Sequence, residues 1–209
     1  MPDVLKLYGS AKSRASRSLL ALEEMGLPYD HIPLGRGLRD PVSDERKLLN
    51  SLNPNGHIPV LDHDGFLIWE SMAINLYLAE TFPSPLWPTD AKSRGRTWLW
   101  SFWAQTEMDR KDWELPRRSG DEEAIARMTE AKIATLGILD RALASSAYLL
   151  GDTFTLADLN VASTLSQPNE DGKIDWQRLD PAMLDLPHLA DWLARCTSRE
   201  SWLRVALLD

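Results

Sequence analysis

Three stretches of the 209-residue chain carry side chains that could do chemistry. The first, Gly9 to Ser18, offers Ser10, Ser13, Ser16 and Ser18 with Arg14 and Arg17 where a helix begins. A helix start presents unpaired N–H groups and a positive dipole end, so a hydroxyl there can help hold an anion. Capping is the plainer use of the same residues, because Ser is a preferred N-cap. The second stretch is Asn53-Pro54-Asn55-Gly56-His57-Ile58-Pro59-Val60. A proline entering a short interior strand is unusual, and a cis Ile58–Pro59 bond is one way to turn the Ile58 backbone outward for recognition. The third is Trp69-Glu70-Ser71, where a hairpin ends and a helix begins. Free N–H groups and the Ser71 hydroxyl can receive a carboxylate there, and Glu70 can meet an ammonium group. A helix cap with a first-turn acid accounts for the same pair.

Other chemistries lack their residues. There is no Gly-rich phosphate loop, no His-Glu-x-x-His and no Gly-x-Ser-x-Gly, and the four His stand apart at 31, 57, 63 and 188. Metal hydrolysis and nucleotide chemistry lose support, and no metal is expected. His63 between Asp62 and Asp64 reads as a solvated hairpin turn, since turns favour Asp and Gly. A single Cys196 forms no intramolecular disulfide and no Cys-cluster metal site, which suits a reducing compartment and makes the cytoplasm the default. With 23 Lys plus Arg against 31 Asp plus Glu, a net charge of −8 and no basic run, nucleic acid and anionic lipid are poor partners. No leader-like or membrane-spanning apolar run is present, so neither secretion nor membrane insertion is expected.

The elements that must position these residues follow from periodicity. Residues 4–8 read as a strand, and Leu19, Leu20, Leu22 and Met25 read as a helix stopped by Gly26. Tyr29 to Leu34 reads as an edge strand parallel to the first, given Pro28 and Pro33. Ser43 to Leu49 is helix-capable but ambiguous. Val60-Leu61 and Phe66 to Trp69 flank an Asp-Gly turn and form a hairpin, and a helix starts near Ser71. Pro83, Pro85 and Pro88 make a stiff connector. Beyond it, Asp90 to Lys111, Asp121 to Ser145, Thr155 to Gln167 and Pro187 to Thr197 read as helices. Thr155 with Asp158 resembles a capping box, and Phe154 with Leu159 its staple.

Taken together, these pieces resemble the cytosolic glutathione transferase family. Three motifs carry the likeness: Leu7-Tyr8-Gly9-Ser10-Ala11-Lys12-Ser13-Arg14; Asn53 to Leu61 with Trp69-Glu70-Ser71-Met72-Ala73-Ile74; and Gly151-Asp152-Thr153-Phe154-Thr155-Leu156-Ala157-Asp158. The likeness spans roughly residues 4 to 205. It implies an α/β thioredoxin-like glutathione-binding domain over 1–82, a Pro-rich linker over 83–89 and an all-helical domain over 90–209. It further implies glutathione as cosubstrate, a serine-type, bacterial-like member, and a homodimer.

Carried over by motif, Ser13 donates a hydrogen bond to the glutathione sulfur. Tyr8 is its rival, since some members place a catalytic phenol near the end of the first strand, and Ser10 stands behind both. Ile58 backbone groups pair with the cysteinyl main chain, Pro59 is the cis proline, and Glu70 and Ser71 bind the γ-glutamyl end. His57 would reach the glycyl end. Arg36, Arg39 and Lys47 are all open as partners of the glycine carboxylate. No Cys occurs near the first loop, which argues against the mixed-disulfide reductase branch, and Cys196 reads as core. The pocket for a small hydrophobic electrophile would draw on Trp103, Arg110 and Trp113, although such a cluster also suits core or subunit contact. The implied activity is attack of glutathione thiolate on that electrophile, or peroxide reduction. The same residues leave open a glutathione-dependent isomerase or dehalogenase, and a transferase-fold interaction protein without catalysis.

Overall fold

The structure, a computed structural model, describes residues 4–109, 120–166 and 185–208. By internal contact they form two compact units, one holding residues up to Trp87 with the chain from Ser198 onward, the other holding Pro88 to Leu165 and the helix before Ser198.

The first unit is built on a four-stranded sheet of β1 (Leu5–Tyr8), β2 (Asp30–Ile32), β3 (Val60–His63) and β4 (Phe66–Trp69) in the order β2-β1-β3-β4. β2 runs parallel to β1 at the edge, as its flanking prolines suggest, and β3 runs antiparallel to both β1 and β4. The β3–β4 turn holds Asp64 and Gly65 at φ 51° and 89°, the doubly left-handed turn that matches strand twist in a two-residue hairpin. Asp62 secures it by accepting the Gly65 N–H at 2.7 Å.

Helices α1 (Ala15–Met25), α2 (Asp44–Leu52) and α3 (Ser71–Thr81) cover the sheet. Leu5, Leu7 and Leu61 are buried on the side of α1 and α3, where Leu19, Leu22, Ile74 and Leu78 are also inaccessible. On the other side Leu49 of α2 joins Leu34 and Val60, with Tyr8 and Ile58 packed against them. The ambiguous 43–49 stretch is thus a helix. Ser43 caps it by accepting the Arg46 N–H at 3.1 Å, and a short 3-10 turn, Arg36–Arg39, precedes it.

The second unit holds α4 (Ala91–Trp103), α5 (Glu122–Leu143), α6 (Leu156–Leu165) and α7 (Pro187–Thr197). The Asp90–Lys111 reading overshoots: the regular helix stops at Trp103 and a wider π turn, Ala104–Met108, follows, closed by the Asp109 N–H on the Ala104 carbonyl at 3.0 Å. That wider turn sits against α6 with Ala104 and Met108 buried. The Thr155–Asp158 pair does more than a capping box. Asp158 Oδ2 accepts the Thr155 N–H and hydroxyl at 2.9 and 3.0 Å, while Oδ1 accepts the Leu149 N–H at 2.8 Å and the Trp192 indole N–H at 2.9 Å. One carboxylate therefore joins a turn, the start of α6 and α7. Burial pushes its carboxyl above the usual range, against the pull of those four donors. Cys196 is fully buried, as read.

A last helix, α8 (Glu200–Ala206), has no counterpart in the sequence reading and belongs to the first unit, although the expected helical domain ran to residue 209. Arg199 donates twice to Glu24 of α1, at 2.8 and 2.7 Å, and Arg204 donates to Glu23 at 2.6 Å. Burial raises the Glu24 carboxyl, but hydrogen bonds from Arg199 and Ser201 with the Arg199 and Arg204 charges outweigh it and leave the pKa below the ordinary value. Among the described residues no helix is long and apolar enough to cross a membrane.

Candidate active site

The strand register gathers the three stretches at one end of the sheet. Tyr8, the last residue of β1, lies opposite Val60, the first of β3, which lies opposite Trp69, the last of β4. The Gly9–Arg14 loop, Ile58-Pro59 and Glu70-Ser71 each begin where those positions end. Gly9, at φ 138°, makes the approach possible: a Cβ there would lie 2.8 Å from the Ala15 Cβ and 3.1 Å from the Ile58 Cβ. A side chain would force the loop away from Ile58. The role of Gly9 rests on this contact, which no local sequence pattern records.

Ser13 is half-buried and lies in the turn just before α1, ahead of the N-cap residue Arg14. Its hydroxyl donates to the Ser10 carbonyl at 2.6 Å and accepts the Ala15 N–H at 3.1 Å. The Ser10 carbonyl also accepts the Ser13 N–H at 3.1 Å. Turning the Ser13 hydroxyl toward an incoming anion therefore leaves that carbonyl paired, while the helix-start N–H continues to polarise the oxygen. Ser10 uses its own hydroxyl to accept the Lys12 N–H at 3.2 Å, and Ser16 donates to the Ser13 carbonyl at 2.8 Å. Ser10, Ser13 and Ser16 thus all spend their hydroxyls on the backbone of this turn.

Tyr8 is half-buried against Leu34, Leu49 and Val60, the environment of a packing side chain. Ile58 shares that cluster, and the Ile58–Pro59 bond is cis. The loop before it is held by a side chain whose role the sequence reading passed over. Asn53 is buried, donates from Nδ2 to the His57 carbonyl at 2.7 Å, and accepts the Asn55 N–H at 2.9 Å. The Asn-Pro-Asn-Gly composition was its only sequence signal. His57 itself is exposed.

Glu70 is exposed and takes φ 72°, ψ 115°, a conformation that non-glycine residues rarely adopt and that clusters at binding sites. No side chain caps α3, and Ser71, its first residue, is buried. The first-turn N–H groups of α3 can therefore serve a carboxylate beside the Ser71 hydroxyl, with the Glu70 carboxylate next to them for a cation. Two bonds brace α3 on α1: Ser18 donates to the Ser71 carbonyl at 3.5 Å and Asn75 donates to the Arg17 carbonyl at 3.2 Å.

In the second unit Trp103 is half-buried and meets Trp100 edge to face, with centroids 5.3 Å apart. Arg110 and Trp113 lie outside the described residues, as does the side chain of Arg36. Among the described residues no group of three or more His, Cys, Asp or Glu is arranged to hold a metal ion.

A sheet of this order, with a cis proline at the start of its central antiparallel strand and an uncapped helix beside it, followed by a helical unit, defines the class. The sequence profile of the glutathione S-transferase amino-terminal domain matches residues 3–80 and that of the carboxy-terminal domain matches residues 102–200. Glutathione S-transferase hmp2 of Hypomyces subiculosus is 31% identical, the match covering 96% of this chain and 97% of that one. Glutathione S-transferase GstB of Escherichia coli K12 is 27% identical over 98% of this chain and 99% of its own. Among solved structures, the theta class glutathione S-transferase of Xanthomonas axonopodis pv. citri with glutathione bound superposes with a TM-score of 0.77 at 26% identity, covering 99% of this chain and 98% of that chain. The chain belongs to the glutathione S-transferase family.

Proposed function

We propose that this glutathione transferase binds glutathione along the end of its sheet and holds the sulfur as a thiolate with the Ser13 hydroxyl. The observation that carries the reading is the hydroxyl's place: its oxygen accepts the Ala15 N–H of the helix start, and its proton rests on a carbonyl that keeps a second donor. In the ligand's extended pose the cysteinyl main chain pairs with Ile58 beside Pro59, and the γ-glutamyl carboxylate and ammonium meet Ser71 and Glu70. His57, together with one of Arg36, Arg39 and Lys47, is proposed for the glycyl end. A free thiol of pKa about 8.5 is only a few per cent ionised at pH 7, and a drop of two units, about 2.7 kcal/mol of differential stabilisation, ionises most of it. A charge-assisted O–H to sulfur bond at a helix terminus is of that order.

The thiolate then attacks an electrophilic carbon of a small apolar substrate and expels its leaving group. Trp103, Arg110 and Trp113 are the side chains proposed for that substrate's pocket. The domain assignment 1–82, linker 83–89 and helical domain from 90, a cytoplasmic location and a homodimer complete the proposal. The dimer is supported by Trp98, Leu99 and Phe102, which stand 49%, 56% and 59% exposed on one side of α4.

The test is an ultraviolet titration of bound glutathione in wild type, Ser13→Ala and Tyr8→Phe. Wild type should ionise the thiol well below about 8.5, Ser13→Ala should restore that value, and Tyr8→Phe should leave it low. A low value that survives Ser13→Ala moves the role to Tyr8 or Ser10. Absence of binding in wild type makes the chain a transferase-fold interaction protein. Product analysis with an aryl halide, a hydroperoxide and a chlorinated substrate then reads whether glutathione stays in the product.

A further inference from the structure

The first turn of α2 spends its polar atoms on two neighbouring loops. Ser43 donates its hydroxyl to the Gly37 carbonyl at 2.6 Å. Glu45 Oε2 accepts the N–H groups of Gly35 and Gly37 at 3.0 and 3.3 Å. A Cβ on Gly37 would lie 2.8 Å from the Glu45 carboxyl carbon, so this seat requires glycine or a shifted carboxylate. The Arg46 guanidinium spans the gap between the loops: Nε and Nη2 both donate to the Leu38 carbonyl, the first at 3.0 Å, and Nη1 donates to the Gly56 carbonyl at 2.8 Å.

Those two loops are walls of the proposed glutathione site. The Leu34–Arg39 segment is tied to the serine loop, because the Ser10 N–H donates to the Leu34 carbonyl at 2.8 Å and the Ser10 carbonyl holds Ser13. Gly56 leads directly into His57, Ile58 and the cis Pro59. Asn53 fixes the base of that loop, leaving the Gly56 carbonyl to Arg46. A planar guanidinium with five donors can serve carbonyls of both loops at once, whereas an ammonium on a flexible stem acts as a point charge.

We propose that Arg46 is a positioning residue of the glutathione site, bridging the 38 and 56 carbonyls so that Ile58 and the serine loop stand at the separation glutathione needs. The proposal rests on the reading of this end of the sheet as the glutathione site. It assigns Arg46 no contact with the sulfur, so its loss weakens binding without changing thiol ionisation.

The experiment uses the full chain. Hydrogen exchange read by mass spectrometry on ligand-free Arg46→Ala should rise in peptides covering 35–40 and 54–58 and stay at the wild-type level in α3. The KM for glutathione should rise about tenfold or more, with kcat and the pKa of the bound thiol unchanged. Millimolar methylguanidinium should recover part of the lost affinity, entering through the open cavity of about 580 Å³ that Arg46 lines with Leu38, Arg39 and Gly56. Ser51→Ala, at an exposed position of the same helix, should leave all four readouts at wild type. Should Arg46→Ala fail to fold, Arg46→Lys carries the test and should loosen one of the two loops. Unaltered exchange and KM in the Arg46 variants overturn the proposal, as does a fall in kcat with a raised thiol pKa. Failure of wild type to bind glutathione overturns the site reading instead, while the exchange arm still reports whether Arg46 pins the loops.

Discussion

At the scale of single residues, the proposed site would divide one hydroxyl's duties between a helix start and the glutathione sulfur. Ser13 accepts from Ala15 and lends its proton to a carbonyl that has another donor. Loss of that proton donor in Ser13→Ala should lower the thiolate fraction at pH 7 from most of the bound glutathione to a few per cent, roughly 25-fold for a two-unit shift from 8.5. Turnover measured at pH 7 should fall by that factor and recover as pH is raised above the free thiol value. The proposed site puts Glu70 and Ser71 at the other end of the ligand, so their loss should show in binding and spare kcat. Glu70 is exposed, and its ion pair with an ammonium is screened, so Glu70→Gln should raise the KM for glutathione by about two- to fivefold, the effect of roughly 0.4–1 kcal/mol. A tripeptide lacking the γ-glutamyl amine should bind wild type and Glu70→Gln alike, and a remaining difference would detach Glu70 from that amine.

At the scale of elements, what the sequence made legible was whatever local pattern controls. Alternating apolar residues, an Asp-Gly turn, flanking prolines and capping residues were enough for β1 through β4, α1, α3 and the helical half. What was illegible depended on partners distant in the chain. Helix α2 carries one fully buried residue, Leu49, on an otherwise charged surface, so its apolar stripe was too thin to mark it. The roles of Glu45 and Arg46 lie in backbone atoms eight to ten residues away, which no motif records. Type and spacing marked the element ends that hold Ser13, Ile58, Pro59, Glu70 and Ser71, while the likeness to the transferase family is what implied a role for each. Helix α8 is seven residues long and follows α7 almost without a break, and its attachment to α1 joins residues about 175 positions apart. That attachment yields a pH prediction. Glu24 has a depressed pKa in the folded chain, so its contribution is complete above the ordinary carboxylate value of about 4.3 and is lost as pH falls through the lower folded value. Urea unfolding at pH 7 should find Glu24→Gln less stable by about 1.5–3 kcal/mol, the range for hydrogen bonds to charged groups. Repeated below pH 4, the gap between wild type and variant should narrow, and a gap that stays constant would place the stabilisation elsewhere.

At the scale of the whole molecule, charge and apolar surface make opposing demands. A net charge of −8 on each chain repels a second copy, so a homodimer must be held by apolar burial. Helix α4 offers a surface of that kind: Trp98 and Phe102 lie one turn apart with Leu99 beside them, all about half exposed, while Thr97 and Ser101 turn inward and are fully buried. Ser101 is fixed from within by the Asn160 amide at 2.8 Å, which orients the helix and leaves the aromatic side outward. A charge placed in that stripe should be poorly tolerated in a dimer and neutral to the fold of one chain, since both positions are already exposed. Sedimentation velocity should therefore find wild type as a dimer, and Trp98→Glu with Phe102→Glu as a monomer with wild-type helix content. Added salt separates the two forces. Screening weakens the repulsion between like-charged chains and leaves apolar burial intact, so raising ionic strength should strengthen the wild-type dimer. Dissociation by salt would instead mean that ion pairs hold the copies together, and would remove the α4 stripe from the interface.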